Sequence, residues 1–207
     1  DGVSGGGSKG WCGGAGVRKG GLGFVQVRHG EVSACRAGVH AKFTGKGGVW
    51  MATSGPGAIH LLNGLYDAKL DHQPVLAIVG QTYVTAMGGD MQQEVNLLSL
   101  YGDVASAYVQ QCNEPSTIRP CLDRALRIAA AERTVTCLIV PADVQEKDAV
   151  PVQPAGLKAV HTGVGFVEQN LVPGTAQLQA AADVLNAGKK VAILVGAGAL
   201  DATDEVI

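Results

Sequence analysis

The stretch TSGPGAIHLLNGLYDAKLDHQPVLAIVGQ, from Thr53 to Gln81, decides the fold. Its Ser54-Gly55-Pro56-Gly57 segment predicts a turn, with the proline near a helix start, where its missing N–H costs nothing. Ile59 to Lys69 fits a helix, and Pro74 to Gly80 is a continuous apolar run typical of a buried strand. A helix that leads into such a strand favours a parallel sheet covered on both faces.

The same alternation continues on both sides of this stretch. Further strands are predicted at Phe24–Arg28, Gly48–Thr53 and Val135–Val140, and further helices at Glu31–Phe43, Glu94–Tyr101 and Thr117–Ala131. On the first of these helices, the helical period places Val32, Cys35, Val39 and Phe43 on one stripe, which we expect to be the buried one. The pattern predicts an α/β domain, an open parallel sheet with helices on both faces.

The chain divides by composition into four parts. Residues 1–23 contain eleven glycines and predict an irregular segment, residues 24–145 form the α/β domain, and residues 146–173 predict a linker. Residues 174–207 hold a predicted helix at Thr175–Ala187, a predicted strand at Lys190–Val195 and the turn Gly196-Ala197-Gly198. That turn follows a predicted strand and precedes a predicted helix, as a phosphate-binding loop does, but it lacks the third glycine of such a loop. The steric requirement of a tight turn for glycine explains its sequence better. We expect this part to be the incomplete start of a second α/β domain.

Composition excludes several classes of function. The chain of 207 residues is 46% apolar and 16% charged, with a net charge of −2, so it offers no electrostatic case for binding nucleic acid or an anionic membrane. No apolar run reaches the roughly 18 residues of a membrane span, and no secretory signal is recognisable. Five cysteines without a CxxC pair predict reduced thiols and a cytoplasmic protein.

Few residues point to chemistry by themselves. Ser54 does not fit the GxSxG pattern of serine hydrolases, because Ala52 and Pro56 stand where glycines are needed. The five histidines have no metal-binding spacing. Asp90 and Glu94 are four residues apart at a predicted helix start, where carboxylates favour the helix dipole. What remains is a glycine-rich turn at the carboxyl end of a strand, where open sheets bind ligands.

Residues 24–144 resemble the N-terminal, pyrimidine-binding domain of thiamine-diphosphate-dependent enzymes. The run from Thr53 to Gln81 carries the resemblance, supported by VRHGEVSACRAGVHAKFTGK (27–46), MGGDMQQEVN (87–96) and ALRIAAAERTVTCLIVPADVQ (125–145). The likeness is greatest to pyruvate oxidases and quinone-linked pyruvate dehydrogenases, with acetolactate synthases as near relatives. Residues 175–207 resemble the opening of the central domain, which holds FAD in the oxidase branch.

The resemblance implies a thiamine-diphosphate-dependent enzyme that decarboxylates a 2-keto acid such as pyruvate, with this chain as a fragment of it. It implies Mg²⁺, bound with the diphosphate by a C-terminal domain outside these residues, and FAD in the full-length protein. It also implies a homodimer or homotetramer with the active site between subunits. An acetolactate synthase, a catalytically inactive binding or assembly module, and a generic Rossmann nucleotide binder are the alternatives.

By the resemblance, the cofactor-binding residues are Gly55, Pro56, Gly57, His60, Gln92 and Gln93. The first three match the turn against the aminopyrimidine ring, His60 lies near the cofactor, and the two glutamines lie on the thiazolium and substrate side. The chain departs from the family at Gly30, where the family has a glutamate that hydrogen-bonds the aminopyrimidine. Glu31 matches the next acidic position, and one helical step turns a side chain by about 100°, so Glu31 is no substitute. No catalytic residue and no metal ligand is assigned.

Overall fold

The computed structural model describes residues 2–5, 20–21, 23–150, 167 and 171–207. The chain forms two compact units, residues 1–167 and residues 168–207. Among the described residues, the first unit contains a six-stranded sheet made of β1 (Gly2–Gly5), β2 (Phe24–Val27), β3 (Gly48–Ala52), β4 (Val75–Gln81), β5 (Val109–Gln111) and β6 (Val135–Pro141). The strand order is β2-β1-β3-β4-β6-β5, and every pair is parallel.

The described helices of the first unit connect these strands. They are α1 (Gly30–Thr44), α2 (Pro56–His60), α3 (Leu62–Leu70), a 3₁₀ turn at Val84–Ala86, α4 (Leu97–Tyr101), α5 (Pro115–Glu132) and α6 (Ala142–Gln145). The predicted helix over Ile59–Lys69 is therefore two helices that meet at Leu61, and the predicted helix over Glu94–Tyr101 begins only at Leu97. The second begins late because Asn96 caps it, accepting a hydrogen bond from the Ser99 N–H at 3.1 Å.

Helices cover both faces of the sheet, as the sequence predicts. Val75, Ala77 and Val79 of β4 pack into one core with Trp50 and the helices α1, α3 and α4. The alternate residue Leu76 packs into a second core with Leu138 and α5. Since successive strand residues point to opposite faces, the two cores lie on opposite sides of the sheet. The predicted α/β class is confirmed.

Two strands were not predicted. Residues 2–5 fall in the segment expected to be irregular, yet they form β1 inside the sheet, paired on one side with Phe24–Val27 and on the other with Val49–Ala52. A strand bonded on both edges obtains its hydrogen bonds from its neighbours, so low strand propensity does not prevent it. The short edge strand β5 was also missed. Residues 6–19 and 151–166, which hold most of the predicted glycine-rich segment and linker, lie outside the described residues.

The buried face of α1 is the opposite of the predicted one. Its buried residues are Ser33, Ala34, Ala37, Gly38 and Ala41. Val32, Val39 and Phe43 of the predicted stripe are 55%, 49% and 81% exposed, and Cys35 is exposed as well. The reason is the close approach of α3, since a Cβ on Gly64 would lie 2.7 Å from the Cys35 backbone nitrogen. Only small residues fit such a contact, so size outweighs hydrophobicity here.

The second unit, taken alone, contains α7 (Thr175–Ala187), a 3₁₀ turn at Ala197–Ala202 and α8 (Thr203–Val206). The helix at Thr175–Ala187 is confirmed. The strand predicted over Lys190–Val195 is wrong, because these described residues form no strand and Leu194 is fully exposed. A strand needs a neighbour for its backbone hydrogen bonds, and residues 190–195 pair with none in the described chain. In neither unit does a described helix combine the length and apolarity that a membrane crossing requires.

Candidate functional site

The candidate site lies at the carboxyl ends of β3 and β4. The Ser54–Gly57 turn follows β3, and the segment 82–96 follows β4. The two meet closely, since a Cβ on Gly80 near the end of β4 would lie 3.3 Å from the Ser54 backbone nitrogen. β1 pairs with β2 on one side and with β3 on the other, so the strand order reverses beside β3. Open parallel sheets bind ligands at such reversals.

Gly55 has a backbone conformation that needs glycine. Its φ is 61° and its ψ is −118°, and it precedes the first residue of α2. Residues with a Cβ rarely adopt this conformation. A Cβ at this position would also lie 2.8 Å from the Cβ and the carbonyl oxygen of Gln93. The glycine therefore allows the Gln93 backbone to pack directly against the turn.

The structure brings the backbone of Gln93 to the turn, and the residues Gln92 and Gln93 are both exposed. The Ser54 hydroxyl, on a residue only 1% exposed, donates a 3.4 Å hydrogen bond to Oε1 of Gln93. Gln93 has a φ of 69°, in the left-handed region. Pro56, also exposed, is the first residue of α2. Sequence reasoning considered Ser54 only as a nucleophile and missed its hydrogen bond to Gln93.

Glu94 organises the backbone before Gln93. Its two carboxylate oxygens accept hydrogen bonds from the Gly88 N–H at 2.6 Å and the Met91 N–H at 3.1 Å. The Glu94 N–H in turn donates to the Met91 carbonyl oxygen at 2.8 Å. Asp90 and Glu94 therefore do not stand at a helix start, and that prediction is wrong. The carboxylate binds loop amides instead of a helix N-terminus.

Buried polar groups fix the two ends of this segment. The Gln81 side chain, 4% exposed, donates to the Val95 carbonyl oxygen at 2.8 Å and accepts from the Thr82 N–H at 2.9 Å. The Val84 N–H donates to Oδ1 of Asp143 on α6 at 3.1 Å. The segment from 82 to 96 is thus held at its start and at its end, with Gln92 and Gln93 between.

Gly30, Gly57 and His60 form the second part of the site. A Cβ on Gly30 would lie 3.4 Å from the Cβ of His60 and 3.7 Å from the carbonyl oxygen of Gly57. The His60 ring stacks on the ring of His29, with 4.9 Å between centroids and 29° between planes. Position 30 therefore faces the predicted turn and His60, but it carries no side chain that could bind or transfer a proton.

Glu31 is engaged elsewhere. Its Oε1 accepts a 2.8 Å hydrogen bond from Nδ2 of Asn63 on α3, and its Oε2 lies 4.0 Å from Nδ1 of His29. These partners hold the carboxylate beside α3. The pairings of His29 with His60 and of Glu31 with Asn63 join positions far apart in sequence, so no spacing rule reveals them.

Tyr101 anchors the helix that carries His60. Its hydroxyl donates a 2.8 Å hydrogen bond to the Ala58 carbonyl oxygen in the middle of α2, and the side chain is fully buried. Burial raises the pKa of this phenol far above its usual value, so the hydroxyl keeps its proton and remains a donor. The exposed groups of the site are thus the imidazoles of His29 and His60 and the amides of Gln92 and Gln93. Within the described residues no group of three or more His, Cys, Asp or Glu side chains is placed to hold a metal ion.

The part of the chain that contains the candidate site also matches known proteins. Residues 2–100, which include every predicted site residue, match the family model described as thiamine pyrophosphate enzyme, N-terminal TPP binding domain. The chain is 39% identical over 186 residues, 90% of its length, to the Bacillus subtilis protein YdaP, whose name describes it as thiamine pyrophosphate-containing. It is 46% identical over 120 residues, 58% of its length, to the pyruvate oxidase of Lactiplantibacillus plantarum.

An acetolactate synthase of Arthrospira platensis is 35% identical over 177 residues, 84% of this chain. The chain spans 31% of YdaP, 20% of the pyruvate oxidase and 30% of this synthase. What these relatives do as whole proteins therefore involves much that lies outside this chain.

Proposed function

Since the chain belongs to the thiamine pyrophosphate enzymes through its N-terminal TPP-binding domain, we propose that it is the pyrimidine-binding part of an enzyme that decarboxylates pyruvate oxidatively. The observation that carries the proposal is the packing of Gln93 against Gly55, which joins the two predicted parts of the cofactor site. The identity of 46% to a pyruvate oxidase supports the choice of substrate. Mg²⁺, FAD and a second subunit belong to this proposal.

The described residues fit the ring of the cofactor. Gly55 and Gly57 let the turn pack closely against Gln93 and Thr53, and the imidazole of His60 and the amides of Gln92 and Gln93 are exposed around it. Amides and imidazoles supply both donors and acceptors, which a flat, polar aminopyrimidine requires. These residues and Pro56 would hold the cofactor. When bound, thiamine diphosphate supplies the electron sink for decarboxylation of the 2-keto acid.

Position 30 limits what the chain itself contributes. Gly30 lies against His60 and Gly57, but it offers no group that could donate or accept a proton. Loss of a general acid or base typically lowers the rate by roughly 10²–10⁴. We therefore expect this chain to bind and orient the ring while supporting turnover slowly.

A second candidate is acetolactate synthase, which joins two 2-keto acids. The match to the Arthrospira platensis enzyme supports it, because that match extends over 84% of the chain against 58% for the pyruvate oxidase. The higher identity to the oxidase favours the first candidate. The two differ in product and can be separated by a product assay.

The test uses the longest gene product that contains this chain, with thiamine diphosphate, Mg²⁺, FAD and pyruvate. We expect saturable binding of thiamine diphosphate, slow release of CO₂, and acetate or acetyl phosphate as the product. Acetolactate as the product would establish the second candidate. Binding without CO₂ release would indicate a binding module, and failure to bind thiamine diphosphate would refute the proposal altogether.

A further inference from the structure

From the hydrogen bonds of Glu94 we infer that this side chain is a positioning residue, which acts on the thiamine-diphosphate site through Gln93. The inference rests on the proposed function, which it deepens. Glu94 lies next to Gln93 in the chain, and its carboxylate binds backbone and not a counter-charge. Among the described residues it enters no ion pair.

The first step of the argument is the shape of the segment that Glu94 holds. Gly88, Asp90 and Gln93 have φ values of 86°, 53° and 69°, so three residues within six positions are left-handed. For Asp90 and Gln93 this conformation is unfavourable and persists only where surrounding contacts impose it. The bonds from the Gly88 and Met91 amides to one carboxylate are the contacts that close this segment.

The second step is the result of that closure. Gln93 is placed so that its backbone touches Gly55 and its side-chain oxygen accepts from Ser54. Hydrogen bonds in which the acceptor is a carboxylate are stronger than neutral ones. Without the carboxylate, the backbone before Gln93 is free to return to ordinary conformations. The amide of Gln93 then no longer has a defined place beside the turn.

A role at a helix start does not account for Glu94. Helix α4 begins at Leu97 and takes its cap from the Asn96 side chain, as the 3.1 Å bond from the Ser99 N–H shows. The amides that Glu94 binds, those of Gly88 and Met91, precede it in the chain and belong to no helix. The carboxylate is therefore used for the segment that carries Gln92 and Gln93.

The test compares Glu94→Ala and Glu94→Gln with Glu132→Ala, which removes an exposed carboxylate at the end of α5. The full-length enzyme is titrated with thiamine diphosphate, and kcat, the melting temperature and hydrogen exchange at the Gly88 and Met91 amides are recorded. Glu94→Ala should raise the half-saturating cofactor concentration about ten-fold or more, the scale of a lost charge-assisted hydrogen bond. It should expose both amides to exchange and leave the KM for pyruvate and the melting temperature near wild type.

Glu94→Gln keeps one carbonyl acceptor, so its half-saturating thiamine-diphosphate concentration should lie between those of the wild type and Glu94→Ala. If Glu94→Ala does not fold, the measurement on Glu94→Gln alone tests the inference. The inference is overturned if the variants lose amide protection but saturate with thiamine diphosphate at the wild-type concentration. It is also overturned if Glu132→Ala has the same effect. If the wild-type protein itself does not respond to thiamine diphosphate, the proposed function fails and the inference falls with it.

Discussion

The backbone of Gln93 lies directly against Gly55. A Cβ on Gly55 would be 2.8 Å from both the Cβ and the carbonyl oxygen of Gln93, and 2.9 Å from its Cα. The contact joins the turn after β3 to the segment after β4. The proposed ring site consists of the residues that would hold the ring of the cofactor. Gly55, Pro56, Gly57, Gln92 and Gln93 of this site lie on these two pieces of chain, whereas His60 ends α2.

Gly55→Ala should therefore disturb both pieces. A backbone with φ 61° and ψ −118° costs an alanine roughly 1–3 kcal/mol, and the new methyl group must displace Gln93. We expect a lower melting temperature and weaker binding of thiamine diphosphate. Gly47→Ala is the matched control, since a Cβ there meets only the Pro74 carbonyl oxygen at 3.9 Å. Equal melting temperatures and affinities for the two variants would contradict the role given to Gly55.

Gly30→Glu should restore a proton-transferring group. A Cβ at position 30 meets His60 at 3.4 Å and Gly57 at 3.7 Å, so a small adjustment accommodates it. Turnover of pyruvate should rise by about 10²–10⁴, the usual effect of a general acid or base. Gly30→Gln is the control, because glutamine has a similar helix propensity but no ionisable group. It distinguishes an effect of proton transfer on turnover from an effect of the side chain on stability. If both variants turn over pyruvate equally, the acid–base interpretation fails.

Gly64→Ala should destabilise the contact between α1 and α3. The added Cβ would clash with the Ala34 Cβ and lie 2.7 Å from the Cys35 backbone nitrogen, and overpacking of this kind costs about 1–3 kcal/mol. Gly38→Ala lies on the facing helix, but its Cβ would meet the Ala68 Cβ at an ordinary 3.6 Å. It should stabilise α1 by up to about 1 kcal/mol. Urea unfolding measures both, and a destabilised Gly38→Ala would contradict this description of the interface.

Asp103 should give a pH-dependent contribution to stability. The Tyr66 hydroxyl donates a 2.6 Å hydrogen bond to its Oδ2, and with the nearby Lys69 ammonium it holds the pKa of Asp103 below 3.8. The same bond raises the pKa of Tyr66 above 10. A lowered carboxyl pKa stabilises the fold above the unfolded value and loses this effect as the pH falls through the folded value. The phenol's contribution is lost as the pH rises through its raised pKa.

An NMR titration of the Asp103 carboxyl carbon checks this. We expect a midpoint below 3.8 in the wild type and a shift upward in Tyr66→Phe, which removes the hydrogen bond with the largest effect. A midpoint that does not move in Tyr66→Phe would show that the phenol is not the cause.

Much of the sheet could be predicted because its central strands are buried on both faces. β3, β4 and β6 appear in the sequence as continuous apolar runs, and the structure places each within about one residue of the expected bounds. The strand β1 could not be found this way. Its sequence, Gly-Val-Ser-Gly, lacks that apolar pattern, and only its partners on both sides make it a strand.

The wrong face of α1 has a different cause. Hydrophobic periodicity assumes that the large apolar residues are buried. Here the buried face of α1 consists of alanine, serine and glycine, and Gly64 of α3 and Gly48 of β3 both pack closely against it. The site shows the same limit. Its glycines, His60 and the glutamines were indicated by resemblance, but the contact of Gln93 with Gly55 and the bonds of Glu94 depend on folded backbone. Sequence spacing alone therefore could not predict these contacts.

The place of β1 in the sheet also bears on the order of folding. β1 pairs with residues 24–27 on one edge and with residues 49–52 on the other, so its second edge stays unpaired until residues 49–52 have been synthesised. Pairings between distant residues form slowly and leave unpaired edges exposed meanwhile. Deleting the first five residues would leave β2 without its described neighbour and make β3 an edge. Such a shortened chain should refold poorly, even though every residue of the proposed ring site remains in it.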